Sequence, residues 1–228
     1  GLIGGMSWES TLTYYRLINE SVKARLGGLH SARIILYSVD FHEIAQLQRA
    51  GDWHAAGAQL IAAARSLQAA GADILVLGTN TMHKVADAIQ AAVNLPFLHI
   101  ADATAQEVRD AGIATIGLLG TRFTMEDDFY RDRLGTAQAL QVLIPGEADR
   151  ETVHRVIYDE LCLGQVSPAS RVVFRRIMAD LAARGAQGLI LGCTEIALLV
   201  DQTDATVPLF DTTRIHALKA ADWALGME

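Results

Sequence analysis

The chain has 228 residues, 51% of them apolar and 20% charged, which suffices for a sizeable core in one large or two small domains. A formal net charge of −7 argues against nonspecific binding to nucleic acid or an anionic membrane, and no apolar run approaches the roughly 18 residues a membrane span needs. Its two cysteines, Cys162 and Cys193, suit a cytoplasmic enzyme with free thiols better than a secreted disulfide scaffold.

The first element is a strand, Leu2–Gly4; the sequence starts without Met and shows no signal peptide, so a few residues are expected to precede Gly1. Helix Ser10–Leu26, strand Arg33–Val39, helix Trp53–Ala70, strand Ile74–Leu77, helix Lys84–Ala92, strand Phe97–His99 and helix Ala101–Ala111 follow. The second half reads as strand Thr115–Leu119, helix Met125–Leu134, strand Gln141–Ile144, helices Glu151–Leu163 and Ser167–Arg184, strands Leu189–Leu191 and Leu209–Phe210, and a last helix Thr213–Leu225. Ser167-Pro168 suits a helix start, with Ser as cap and Pro in the first turn. Strand alternating with helix is the pattern of an α/β fold with parallel sheets.

Two stretches spell nearly the same words. Gly71-Ala72-Asp73-Ile74-Leu75-Val76-Leu77-Gly78-Thr79 aligns without a gap on Gly185-Ala186-Gln187-Gly188-Leu189-Ile190-Leu191-Gly192-Cys193. Gly1-Leu2-Ile3-Gly4-Gly5 resembles Gly117-Leu118-Leu119-Gly120-Thr121, and Pro96-Phe97-Leu98-His99 resembles Pro208-Leu209-Phe210-Asp211. Three matched strands in matched order imply an internal duplication of about half the chain. The expected architecture is therefore two pseudo-symmetric α/β lobes, each a parallel sheet flanked by helices. The first takes residues 1–100 plus 213–228, the second residues 101–212, and the last helix packs back on the first lobe. Ligands of parallel sheets bind beyond the carboxyl ends of the strands. Met6, Ser7, Thr79, Thr121 and Cys193 all fall at such ends, so the active site is expected in the cleft between the lobes.

Cys193 lies in Gly192-Cys193-Thr194-Glu195, between a buried strand and a helix start. A helix N-terminus stabilises a thiolate, so a lowered thiol pKa is expected there. The competing reading is a small buried hydrophobe, as most free cysteines are. Cys162 has no such context and reads as core. Ser7, Thr121 and Thr194 sit at strand–helix junctions, where a hydroxyl serves as a helix cap or as a ligand donor.

The words Gly4-Gly5-Met6-Ser7-Trp8-Glu9-Ser10, Asn80-Thr81-Met82-His83, Gly120-Thr121-Arg122-Phe123-Thr124-Met125 and Gly192-Cys193-Thr194-Glu195 resemble the aspartate/glutamate racemase family, over essentially the whole chain. The resemblance implies a two-lobed homodimer that acts on acidic amino acids with neither pyridoxal phosphate nor a metal. Family members carry two catalytic residues, one on each face of the α-carbon, usually both Cys. Here the first position is Thr79. Gly28-Leu29-His30-Ser31 and Phe41-His42-Glu43-Ile44 are shared with a family branch that has this Thr/Cys pair and prefers L substrates. In that branch's pattern Cys193 abstracts the α-proton of the L form and Thr79 reprotonates the opposite face.

The developing carbanion needs hydrogen bonds on the α-carboxylate. Asn80, Thr81, Thr194, Ser7 and Thr121 are the candidates, with Met6 and Met82 flanking. By resemblance Arg49, helped by Gln48, holds the side-chain carboxylate. Gln165 stands where some aspartate racemases have Lys, which leaves the choice between aspartate and glutamate open. Lys84 and Arg122 are further cations near these motifs, and His83 and Glu195 are candidates for tuning protons. The seven histidines form no metal set, and no P-loop is present. Two alternatives stand beside the racemase: a decarboxylase or maleate-type isomerase using Cys193 alone, and a non-catalytic binder of small carboxylates.

Overall fold

The structure is a computed structural model and describes residues 1–135 and 139–227. The chain divides into two compact units, Gly1–His99 together with the chain from His216 onward, and Ile100–Ile215.

In the first unit the elements run β1 (Leu2–Gly4), α1 (Trp8–Leu26), β2 (Leu36–Ser38), α2 (Phe41–Ala50), α3 (Trp53–Ala69), β3 (Leu75–Leu77), a 3-10 turn (Thr81–Val85), α4 (Ala86–Ala91) and β4 (Phe97–Leu98). The second runs α5 (Ile100–Asp110), β5 (Thr115–Gly120), α6 (Arg122–Glu126), α7 (Asp128–Gly135), β6 (Gln141–Leu143), α8 (Glu147–Asp159), α9 (Pro168–Ala183), β7 (Gly188–Gly192), α10 (Ile196–Leu199) and β8 (Leu209–Asp211), with short 3-10 turns at Leu161–Leu163 and Gln202–Asp204. Helix α11 (Thr212–Ala224) starts in the second unit and ends in the first.

Both units hold a four-stranded sheet, in the orders β2-β1-β3-β4 and β6-β5-β7-β8. All pairings are parallel, and the registers match the repeat seen in the sequence. Leu2 pairs with Val76 and Ile3 with Leu77, as Leu118 pairs with Ile190 and Leu119 with Leu191. On the next strand Leu98 pairs with Val76, as Phe210 pairs with Ile190. The duplicated words thus occupy equivalent places in two like sheets.

Parallel strands buried on both faces alternate their side chains between two cores. In the first unit Ile3, Leu75 and Leu77 pack with α3 residues Leu60, Ala64 and Leu67. Leu2, Val76 and Leu98 face the other way, against Tyr14, Ile18 and Val22 of α1 and Ala217, Ala220 and Ala221 of α11. In the second unit Leu189 and Leu191 meet α8 and α9 through Val153, Ile157, Phe174 and Ile177, whereas Ile190 and Phe210 meet Val108 of α5 and Tyr130 of α7.

Several boundaries differ from the sequence-based expectation for local reasons. No helix is expected over Phe41–Ala50 from the sequence, yet Asp40 caps its first turn, Gly51 closes it in the left-handed region and Ile44, Ala45 and Gln48 form its buried face. The helix expected over Met125–Leu134 is two helices, because Asp127 adopts an extended conformation between them. Glu151–Leu163 starts earlier, at Glu147, and its end is a separate 3-10 turn. Ser167 caps α9 with Pro168 in the first turn, as read from the sequence.

Candidate functional site

Each unit presents a loop at the carboxyl end of its central strands, and the two loops are built differently. In the second unit Gly192 ends β7 and Cys193 follows. An added Cβ at Gly192 would lie 2.8 Å from the Leu119 carbonyl, and one at Gly120 would lie 2.8 Å from the Gly192 carbonyl. The two strand ends approach so closely that neither position admits a side chain. This contact sets where the chain leaves the sheet, and hence where Cys193 stands.

Cys193 is buried, and its thiol donates to Glu195 Oε2 at 3.0 Å. The Thr194 hydroxyl donates to the same oxygen at 2.7 Å. Glu195 itself is only 2% exposed. The expected lowering of the thiol pKa is therefore overturned. Burial pushes the Cys193 thiol well above its usual value, and the Glu195 carboxylate pushes it further in the same direction. The helix meant to stabilise a thiolate, α10, has four residues, and Glu195 stands at its N-cap with a negative charge. Cys162 is half-buried and packs on the same core, in keeping with its reading as core.

In the first unit Thr79 follows β3 and is buried, as are Asn80, Thr81, Met82 and His83. The Thr79 N–H is bound to the Leu77 carbonyl at 2.9 Å, and Gly78 N–H to the Ile3 carbonyl at 2.9 Å. The Thr79 hydroxyl has no hydrogen-bond partner among the described residues, so it can serve a ligand. Met82 is part of the core and its sulfur accepts from Gln48 Nε2 at 3.1 Å. Met6 also lies in that core. Gln48 is buried, while its neighbour Arg49 is exposed on the last turn of α2 with no ion pair among the described residues.

The two remaining strand ends are a matched pair of helix caps. Ser7 Oγ accepts from the Ser10 N–H and starts α1; Thr121 Oγ1 accepts from the Thr124 N–H and starts α6. Gln165 is exposed, on the loop before α9. Lys84 is drawn to the Trp53 ring, 4.1 Å from its centroid, and the Arg122 guanidinium lies 5.6 Å from the Phe123 ring. No group of three or more metal-ligating side chains occurs among the described residues.

Behind Thr79 lies a buried aromatic cluster that the sequence did not announce. His83, His99 and His216 are each 6% exposed or less. The His83 ring meets the His99 ring edge-on at 4.4 Å, and the His216 ring centre is 6.0 Å away. His216 Nε2 donates to the Leu98 carbonyl at 3.0 Å, so its Nδ1 accepts from the Tyr14 hydroxyl at 2.8 Å. Burial lowers the His216 pKa to about 4, so this ring is neutral at ordinary pH. Histidine spacing in the sequence carries no sign of this cluster, because its members come from a turn, a strand end and the last helix.

A model of the Asp/Glu/Hydantoin racemase family matches residues 3–220. The chain belongs to this family. As a member it is an isomerase. The solved structure of a candidate Asp/Glu racemase from Yersinia pestis is 63% identical to it, covering 99% of this chain and 98% of that one with a TM-score of 0.92. An aspartate racemase homologue from Pyrococcus horikoshii is 36% identical over 99% of this chain and 98% of its own, with a TM-score of 0.84. A broad-specificity amino-acid racemase from Bacillus subtilis is 22% identical over 163 residues, 68% of this chain and 66% of that one.

Proposed function

We propose that the protein racemises an acidic amino acid, aspartate or glutamate, by a two-base mechanism in which Cys193 and Thr79 serve opposite faces of one α-carbon. The observation that carries this reading is the sheet register. Leu77-Gly78-Thr79 and Leu191-Gly192-Cys193 leave equivalent strands of two like sheets, so each unit ends the same strand in one group that can carry a proton. Family membership and the racemase names of similar proteins support the reaction class and the acidic substrate.

A thiol with a raised pKa would be inert if it had to lose its proton to water. Glu195, 3.0 Å away, offers another route. Transfer of the proton from Cys193 to Glu195 creates the thiolate while the net charge of the pair stays constant, which costs less in a buried place than expelling the proton. Cys193 then abstracts the α-proton of the L substrate, and Thr79 delivers one to the opposite face. Thr79 is a weak base, so turnover from the D form is slower. Asn80, Thr81 and the Thr194 main-chain N–H hold the α-carboxylate, since the Thr194 hydroxyl is given to Glu195, and the exposed guanidinium of Arg49, unpaired among the described residues, takes the side-chain carboxylate. The reading includes a homodimer: α1 carries an exposed apolar stripe, Trp8, Leu12 and Tyr15, that a second copy would cover.

Exchange of the α-proton in D2O, with L-Asp, D-Asp, L-Glu and D-Glu run separately, tests the proposal. Deuterium uptake with inversion, faster from the L side, is expected, and Cys193→Ala should abolish both. Full racemisation by that variant would sink the mechanism.

A further inference from the structure

The Thr79 carbonyl after β3 is held by a side chain, where its counterpart after β7, the Cys193 carbonyl, is held by the main chain. Residues Thr81–Val85 form a 3-10 turn, so the His83 N–H bonds three residues back, to the Asn80 carbonyl at 3.0 Å. An α-helix starting here would have sent that N–H four residues back, to Thr79. The Thr79 carbonyl is passed over by the ladder and accepts from His83 Nδ1 instead, at 2.6 Å. A carbonyl only accepts, so Nδ1 carries the hydrogen. After β7 the equivalent Cys193 carbonyl accepts the Ile196 N–H at 3.1 Å, and the residue in the place of His83 is Ala197, which has no side-chain donor.

The imidazole is itself fixed. It is 3% exposed and is packed by the rings of His99 at 4.4 Å, Phe97 at 5.6 Å and His216 at 6.0 Å, the last tied down by Leu98 and Tyr14. We infer that His83 is the positioning residue for Thr79: its ring holds the Thr79 carbonyl, and so sets the direction of the free Thr79 hydroxyl at the reacting carbon. This inference rests on the racemase reading. It assigns the ring to one half of the reaction only, because Cys193 has its own partner in Glu195. A misplacement of about 1 Å at a reacting group typically costs about 100-fold in rate.

Two variants of the full chain separate this role from a structural one. In His83→Asn the amide nitrogen sits where Nδ1 does; in His83→Gln it sits one carbon further out, near the place of Nε2. Each is assayed in D2O with the four amino acids above, alongside the wild type and a thermal melt. His83→Gln is expected to slow inversion about 10–100-fold, while deuterium exchange with retention in the L substrate stays within about threefold of wild type. His83→Asn is expected to restore most of the inversion. Equal losses of exchange and inversion in both variants would make His83 a structural residue and overturn the inference. So would two unchanged variants. Loss of inversion in both, with exchange intact, would overturn it in favour of a ring that itself carries the proton. A wild type that exchanges none of the four substrates would instead overturn the racemase reading, and the inference with it.

Discussion

Glu195→Gln keeps the shape of the group beside Cys193 and removes its charge. Two consequences run in opposite directions. The carboxylate is one of the causes that raise the thiol pKa, so the amide should leave Cys193 easier to ionise. The amide cannot, however, receive the thiol proton. A hydrogen bond to a charged group is worth about 1.5–3 kcal/mol, which corresponds to roughly 10–150-fold in rate, at the lower end of what loss of a general base costs. Turnover of the L substrate is therefore expected to fall about 100-fold at neutral pH, while alkylation of Cys193 by iodoacetamide begins at lower pH than in wild type. Both are measured on one preparation, in a Cys162→Ser background so that a single thiol reports by mass spectrometry. A variant with a more reactive thiol and undiminished turnover would refute the reasoning, because Glu195 would then only restrain the thiolate.

The remaining predictions concern stability. His216 refuses a proton in the folded state until about pH 4, whereas the unfolded imidazole takes one near its ordinary 6.5, so folding stability is full above pH 6.5 and falls as pH drops toward 4. The difference is worth about 2–3 kcal/mol between pH 7 and pH 4.5. Urea unfolding at the two pH values should show that part of the slope vanish in His216→Gln, and an unchanged slope would assign the acid sensitivity elsewhere. Gly192→Ala would drive a Cβ to 2.8 Å from the Leu119 carbonyl and 2.9 Å from the Leu118 side chain. A loss of about 1–3 kcal/mol by denaturant unfolding is expected, with Cys193 displaced and α-proton exchange lost; a variant as stable and active as wild type would show that the strand ends can part freely.

How much of this was legible follows from what each feature depends on. The strands announced themselves because a buried parallel strand needs a short apolar run with a turn on either side, and the duplication made each run visible twice. The strands read as Ile74–Leu77 and Leu189–Leu191 are found at Leu75–Leu77 and Gly188–Gly192, and the aligned words occupy matching register positions in the two sheets. Helix α2 escaped because it has ten residues, several of them polar, and its buried face is Ile44, Ala45 and Gln48 alone. Thr79 and Cys193 were legible as the residues after the repeated Gly, but the state of the thiol was not. That depends on Glu195 turning back two residues to accept from it and on α10 being too short to oppose the carboxylate. Helix length and side-chain direction at a strand end are settled by packing against neighbours distant in the chain.

The two halves have like sheets and differ in what supports the proton-carrying residue that follows the strand. After β7 the main chain satisfies the Cys193 carbonyl, which leaves the side chain two residues on, Glu195, available to serve the thiol. After β3 the main-chain ladder starts one residue later, at the Asn80 carbonyl, and the side chain four residues on, His83, serves the Thr79 carbonyl instead. One support acts on the proton of the reacting group, the other on its placement. A thiol needs help with its proton because burial holds the proton on it. A hydroxyl without a neighbouring base gains most from being aimed. The functional asymmetry proposed for the two faces of the α-carbon thus has a structural counterpart in the turn geometry, and it predicts that restoring an α-helical start after β3 would free the His83 ring without improving catalysis by Thr79.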